Sequence, residues 1–233
     1  MATKKDDNTK EVQFTYRWKS LEVTVKGLAP LAMQCRPTAV IDNLRRKDNG
    51  LPQVKYKSSD MRRFIDSMHW IDVTKKPDTL NDNYDDDYYK SELARLMQEE
   101  KETGKALFYI PCEAFKESIC KGAYRSGLTK NLVDPRSWFI IRGDKAPITY
   151  SSVDMECVPT INKNARGAMV VSVYSKFNDW ETKLNLDYNE ALISAENLVA
   201  MMCASGLAVG VLARRTELSF GKYGTYTVTE AKK

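Results

Sequence analysis

The 233-residue chain has a single histidine and five cysteines, and no two of the cysteines form a CxxC pair. A zinc site requires about four convergent ligands, which such a scattered set does not offer. The scarcity of histidine also excludes histidine-rich metal centres and most histidine-dependent acid–base pairs. We therefore predict no metal site and no cofactor, and the free thiols indicate a reducing compartment.

The chain also lacks a long hydrophobic run. No stretch approaches the roughly 18 apolar residues that a membrane span requires, and the opening MATKKDDNTKE contains no apolar segment of a signal peptide. We expect an intracellular, cytoplasmic protein without a membrane partner. The motifs GxxxxGKS, GxSxG and GxGxxG are missing as well, so a binding protein is favoured over an enzyme.

The charges that are present are unevenly distributed. Hydrophobic residues make up 42% and charged residues 29% of the chain, as in a folded protein, and the net charge of +5 is modest. Acids concentrate in residues 78–87 and 99–102, whereas bases dominate residues 5–57 and the second half. This segregation predicts a basic surface away from the acids. The acidic run itself is interpreted as solvated, or as a docking surface for a basic neighbour such as a second copy.

The order of apolar patterns predicts the fold class. Residues 1–11 are expected to be a flexible tail and residues 12–233 a single domain, with 35–105 as an inserted, mostly helical and weakly buried subdomain. Outside the insertion, alternating and helical patterns follow one another as strand, helix, two strands with a hairpin, helix and strand. This βαββαβ order is that of an α+β, ferredoxin-like or RRM core.

The strongest local signal for function is the segment GVLARRTELSFGKYGTY at residues 210–226. Its cations alternate with aromatic residues around glycines, as binding of unstacked bases and phosphates requires. An ordinary glycine-containing hairpin with surface bases explains the same composition. The candidate nucleic-acid contacts in it are Arg214, Arg215, Phe220, Gly221, Lys222, Tyr223 and Gly224.

Two further segments are basic. A hairpin tip carrying Lys163 and Arg166 lies between two strand-like runs, and it is either a backbone-binding arm or a solvated turn. The polar insertion adds further candidate contacts, which equally fit a hydrated face. These are Arg36, Arg45, Arg46, Lys55 and Lys57, with Lys116 on the first core helix.

Three stretches are similar to motifs of one family. LEVTVKGLAPLAMQ (21–34) resembles an opening strand before a large insertion, and FYIPCEAFKESICKGAYRSG (108–127) resembles the pattern IPGSSLKGALR. GLAVGVLARRTELSFGKYGTY (206–226) resembles a glycine-rich ending. In this order, the motifs resemble the RAMP superfamily of CRISPR-associated RNA-binding proteins, above all the backbone subunit of effector complexes. The family usually has Gly-Ser or Ser-Ser where Cys112 and Glu113 stand here.

The resemblance implies a modified RRM fold, a fingers-like insertion and a β-hairpin thumb. It further implies a prokaryotic or viral protein of antiviral defence that coats single-stranded RNA or ssDNA. Assembly head-to-tail as a homo-oligomer or ribonucleoprotein subunit is also implied. Two alternatives stay open. One is a metal-independent endoribonuclease using Asp42 or His69, and the other is a protein-binding mimic of an effector subunit.

Overall fold

The computed structural model describes residues 17–162, 168–219 and 222–232. The helices within these ranges are α1 Thr38–Asp48, α2 Asp60–Ser67, α3 Asp86–Thr103, α4 Cys112–Arg125, α5 Asp134–Trp138, α6 Ala195–Ala208 and α7 Thr216–Ser219. The strands are β1 Trp18–Gly27, β2 Leu31–Met33, β3 Tyr109–Pro111, β4 Phe139–Ile141, β5 Lys145–Thr149, β6 Ser152–Asn162, β7 Ala168–Asn178, β8 Glu181–Asn189 and β9 Tyr226–Lys232. The predicted tail at 1–11 lies outside the described residues.

The predicted α+β class is confirmed, and strand pairing shows the ferredoxin-like core directly. β1 lies between β8 and β9 and is antiparallel to both, and β4 pairs antiparallel with the other edge of β8. The resulting order is β9-β1-β8-β4, with α4 connecting β1 to β4 and α6 connecting β8 to β9. This is the split βαβ arrangement of the ferredoxin-like fold. β5 and β3 extend the same sheet.

One face of this sheet is covered by helices. Leu21, Val23 and Val25 of β1 are buried and alternate with polar neighbours, which is the period of a half-buried strand. Helices α4 and α6 pack against each other, and α6 packs on β9. The aromatic ring of Phe115 on α4 lies 5.5 Å from that of Tyr226 on β9, so helix and strand share one apolar core.

A second, smaller sheet carries the predicted β-hairpin. β6 and β7 pair along their whole length from Ser152↔Asn178 to Asn162↔Ala168, and β2 pairs with the base of β7. The described hairpin strands thus bear out the predicted hairpin. Its tip, with Lys163 and Arg166, lies outside the described residues.

The insertion is buried more deeply than its polar composition predicts. Helix α2 buries Phe64 and Ile65, α3 buries Tyr89 and Leu93, and these side chains belong to the same core cluster as the ferredoxin-like sheet. The expectation of weak burial is wrong for α2 and α3, because a few apolar residues on one stripe suffice to anchor a mostly charged helix. Only α1 fits it, since it has no buried residue.

The acidic run wraps around a buried arginine of its own chain. The Arg62 guanidinium donates to the carbonyl oxygens of Thr79, Asn81 and Tyr84 at 2.9–3.0 Å and to the Asp82 carboxylate at 3.2 Å. Part of the run is therefore neither simply solvated nor free for a neighbour. No helix among the described residues is long and apolar enough to cross a membrane.

Candidate nucleic-acid interface

The described part of the C-terminal loop, residues 209–219 and 222–225, lies along the backbone that enters β2. The Ala213 amide donates to the Ala32 carbonyl at 3.1 Å, and the Gly224 amide donates to the Pro30 carbonyl at 2.8 Å. Gly224 has φ 65, and a Cβ at this position would come 2.1 Å from the Val211 carbonyl oxygen. Close approach of two backbone segments therefore accounts for this glycine, and contact of Gly224 with a phosphate stays a prediction.

Arg214 is held by side chains of the hairpin. Its guanidinium lies 2.6 Å from the Glu156 carboxylate of β6, 5.5 Å from the Tyr174 ring of β7 and 4.6 Å from the Tyr223 ring. The Tyr223 hydroxyl also donates to Glu156, at 2.7 and 2.8 Å. The C-terminal loop thus contacts the middle of the hairpin strands, around a carboxylate.

Arg215 lies in a separate ionic network. Its guanidinium is 3.1 Å from Glu217 and 3.4 Å from Glu117, and Lys121 and Arg125 of α4 share the Glu217 carboxylate. The side chains of Arg215 and Glu217 are 18% and 15% exposed at the centre of the network, whereas Glu117 and Arg125 at its edge are 50% and 44% exposed. Arg215 therefore reaches a phosphate only if these carboxylates release it.

Helix α1 and residues 51–57 form one exposed unit, which we call the fingers surface. Asn43 exchanges two hydrogen bonds with the Val54 backbone, at 2.8 and 2.9 Å. The Asp42 carboxylate accepts from Arg46 at 2.7 Å and from the Tyr56 hydroxyl at 2.5 Å, and these two donors hold the pKa of Asp42 below its usual value. Arg46 therefore stabilises the contact between α1 and residues 51–57 and does not project into solvent as a free cation.

The fingers surface carries most of the predicted contacts that are still available. Arg45, Lys55 and Lys57 of this surface, and Arg36 just before α1, are exposed, and their side chains form no ion pair among the described residues. Lys57 contacts Asp82 twice: its ammonium donates to the Asp82 carbonyl oxygen at 2.8 Å, and its backbone amide donates to the Asp82 carboxylate at 3.1 Å. Exposed apolar residues, Val40 and Leu44 among them, accompany these cations. A mixed cationic and apolar surface of this kind suits a nucleic-acid strand, whose phosphates and bases require different contacts.

The remaining predicted contacts lie elsewhere. Lys222 is exposed in the C-terminal loop, whereas Lys116 on α4 lies half-buried, with its ammonium 6.0 Å from the Phe139 ring centre. Phe220 and Gly221, like Lys163 and Arg166, lie outside the described residues. The predicted set therefore divides between the fingers surface and the C-terminal loop, and β2 with residues 34–37 connects the two.

The open face of the ferredoxin-like sheet is neither strongly cationic nor rich in aromatic residues. Its central side chains have both signs of charge: Ser20, Glu22, Lys26, Lys183, Asn185 and Asp187. Arg142 binds both oxygens of Asp187, at 2.6 and 2.7 Å, so its charge is also neutralised. Trp18 is the one aromatic residue on this face of the four described core strands. The stacking of several bases that RRM sheets perform has no counterpart here.

Sequence reasoning missed the partner of the single histidine. The Cys35 thiol lies 3.2 Å from Nδ1 of His69, and the His69 ring lies 5.3 Å from the Tyr109 ring. Burial lowers the pKa of His69 and raises the pKa of the Cys35 thiol to about 12, so the contact joins a neutral thiol and a neutral imidazole, and the tautomer of the ring decides which of them donates. His69 and Asp42 bind different partners, so no shared acid–base pair of these two residues is present.

This pair gives a testable expectation for thiol reactivity. On the folded protein at mildly alkaline pH, iodoacetamide should modify Cys35 at least about tenfold more slowly than the exposed Cys157, because only the thiolate attacks. Peptide mapping by mass spectrometry measures both rates in one sample. In concentrated urea the two rates should converge; equal rates on the folded protein would contradict the buried Cys35–His69 contact.

Groups of three or more residues able to hold a metal ion are absent from the described part of the chain. No family model matches the sequence, and no curated protein matches it either. Among solved structures, one similar chain belongs to the type III-B Cmr-beta complex bound to cognate target RNA, seen by cryo-EM. It shares 9% identity at a TM-score of 0.41, over 93% of this chain and 60% of that chain. Since the likeness is distant, the proposals below depend on this chain's own contacts.

Proposed function

We propose that this chain binds the phosphate backbone of single-stranded nucleic acid, with RNA as the expected ligand. The strand lies on the fingers surface and continues past residues 34–37 to the C-terminal loop. The observation that carries this proposal is the group of exposed cations in and next to the fingers surface whose side chains form no ion pair among the described residues. Arg36 lies three residues after the end of β2, and Ala213 of the C-terminal loop is bonded to β2 at Ala32.

The proposed mode of binding is independent of base sequence. Phosphate contacts position a strand without reading it, and the open sheet face offers no stacking platform for several bases. The half-buried Tyr56 and the apolar residues of α1 supply contact to bases or sugars that every nucleotide can make. Coating of long strands by several copies, or membership of a ribonucleoprotein complex, is a natural extension of this mode. Discrimination between RNA and ssDNA requires contacts to the 2′-hydroxyl.

Neutralising the fingers surface tests the proposal. We expect the fourfold variant Arg36→Gln, Arg45→Gln, Lys55→Gln, Lys57→Gln to raise the Kd for a long oligonucleotide roughly tenfold or more near physiological salt. The slope of log K against log salt should fall by about 3, since each lost phosphate contact on a single strand removes about 0.7. Fluorescence anisotropy with a labelled oligouridine over a salt series measures both quantities.

A matched control removes the same total charge elsewhere. Lys101, Lys105, Lys130 and Lys183 are exposed and form no ion pair among the described residues. The corresponding fourfold Lys→Gln variant should change the Kd less than about threefold, because only the long-range charge is altered. Equal increases in Kd for the two fourfold variants, or a wild-type Kd that does not change with salt concentration, would rule out the fingers surface as the binding site. The length of the recovered oligonucleotide in the same assay reports any cleavage.

A further inference from the structure

Glu156 occupies the position that an anionic ligand of the C-terminal loop would take. A guanidinium and a phenol hydroxyl from the loop, those of Arg214 and Tyr223, converge on its carboxylate. Two charge-assisted donors aimed at one anionic group are also how proteins hold a phosphate. The Tyr223 and Tyr174 rings lie 4.6 and 5.5 Å from the guanidinium. Nη1 of Arg214 donates to the Glu156 carboxylate at 2.6 Å.

We propose that Glu156 sets the affinity of this chain for a nucleic-acid strand. Its carboxylate competes with a backbone phosphate for Arg214 and Tyr223, so that the C-terminal loop binds the strand only when Glu156 is displaced. This inference rests on the proposed function and deepens it, since it names the residue that controls access of a strand to the C-terminal loop. The sequence suggests Arg214 as a contact but gives no indication of its competitor, which lies 58 residues away.

Displacement is feasible because the pair is partly exposed. The side chains of Arg214 and Glu156 are 19% and 27% exposed, so water reaches the contact and limits its strength. A phosphate on a strand already bound to the fingers surface is present at high effective concentration next to the loop. Such a phosphate outcompetes a single partly solvated carboxylate more readily than a free ion does.

Backbone strain in the loop also favours release. Leu212 and Arg214 have φ of 60 and 53, in the left-handed region that residues with a Cβ adopt at a cost. The loop is held in this conformation by contacts that include the Glu156 pair. Arg215 differs, because its Glu217 partner also binds Lys121 and Arg125, and freeing it breaks several ion pairs at once.

Glu156→Gln provides the direct test, since it removes the negative charge and keeps an acceptor for both loop donors. We expect Glu156→Gln to bind oligouridine about threefold more tightly than wild type, with a salt slope steeper by about 0.7, equal to one added phosphate contact. Adding Tyr223→Phe to Glu156→Gln, which keeps the ring and removes one of the two donors to the phosphate, should reduce the gain. Adding Arg214→Gln to Glu156→Gln should abolish the gain.

Glu190→Gln is the matched control, because Glu190 also forms a surface ion pair, with Lys19 at 2.5 Å, but lies just after β8 of the other sheet. It should leave the salt slope unchanged. Equal effects of Glu156→Gln and Glu190→Gln on a wild type that binds would overturn the competition and leave the proposed function intact. Absence of binding by wild type and Glu156→Gln alike, even at low salt, would overturn both.

Discussion

Replacing Arg62 by methionine is expected to lower the free energy of unfolding by about 3–5 kcal/mol. The Arg62 side chain is only 6% exposed, and its guanidinium donates to three carbonyl oxygens and one carboxylate while lying 5.3 Å from the Tyr89 ring centre. Methionine fills much of the volume but donates nothing. The acceptors of residues 79–84 are then left without their donor, and the acidic run loses the cation that holds it against α2.

Urea unfolding followed by circular dichroism measures this loss, with Arg95→Met as the matched control. Arg95 on α3 pairs with Glu92 and Glu99 of the same helix, and its side chain is 58% exposed. Exposed pairs of this kind contribute little, so the control should lose less than about 1 kcal/mol. Similar losses for both variants would show that the acidic run does not depend on Arg62.

Local signals predicted much of the fold because they act over a few residues. Serine before an apolar helical stripe predicts a helix start, as at Ser59 and Ser194, and each side chain accepts from a backbone amide of the first turn, those of Arg62 and Asn197. The alternation of apolar residues likewise predicted the βαββαβ order, which requires no knowledge of distant partners. The apolar pattern over residues 148–158 predicts a single strand, but the structure has two strands there, β5 and β6, interrupted at Tyr150 and Ser151.

The candidate site was predicted less completely, because charge partners come from distant parts of the chain. Composition places Arg214 and Arg215 in a basic loop, but their availability depends on Glu156, Glu117 and Glu217, which only tertiary structure brings near. The same holds for Arg62, one of many cations in the insertion by sequence and an almost fully buried one in the fold. Counting bases along a sequence therefore overestimates the cationic surface of this protein.

The sequence alone does not show whether Gly206 ends a helix or allows close packing within one. A glycine after an apolar helical stripe usually ends the helix, so the sequence predicts a helix end at Gly206. The helix instead continues to Ala208, and Gly206 is buried within it against β9. A Cβ at Gly206 would lie 2.0 Å from the Tyr226 carbonyl oxygen, so the glycine is required for contact between α6 and β9.

Gly206→Ala is accordingly expected to destabilise the protein by about 2–3 kcal/mol. Alanine normally stabilises a helix by about 1 kcal/mol relative to glycine, but here the methyl group would overlap the backbone of Tyr226. Tyr226 is fully buried, with its hydroxyl 3.1 Å from Ser118 Oγ and its ring against Phe115. Relief of the clash would separate α6 from the edge of the core sheet.

The control for Gly206→Ala is Gly143→Ala, in the turn between β4 and β5. Gly143 has φ 76, and no atom of the described residues outside its own turn lies within 4 Å of the point that an alanine methyl group would occupy. Alanine there should cost only the backbone strain of about 1–2 kcal/mol. Thermal unfolding of both variants separates crowding from strain. A Gly206→Ala protein as stable as wild type would mean that helix propensity outweighs the contact, and that α6 can move away from β9 at little cost.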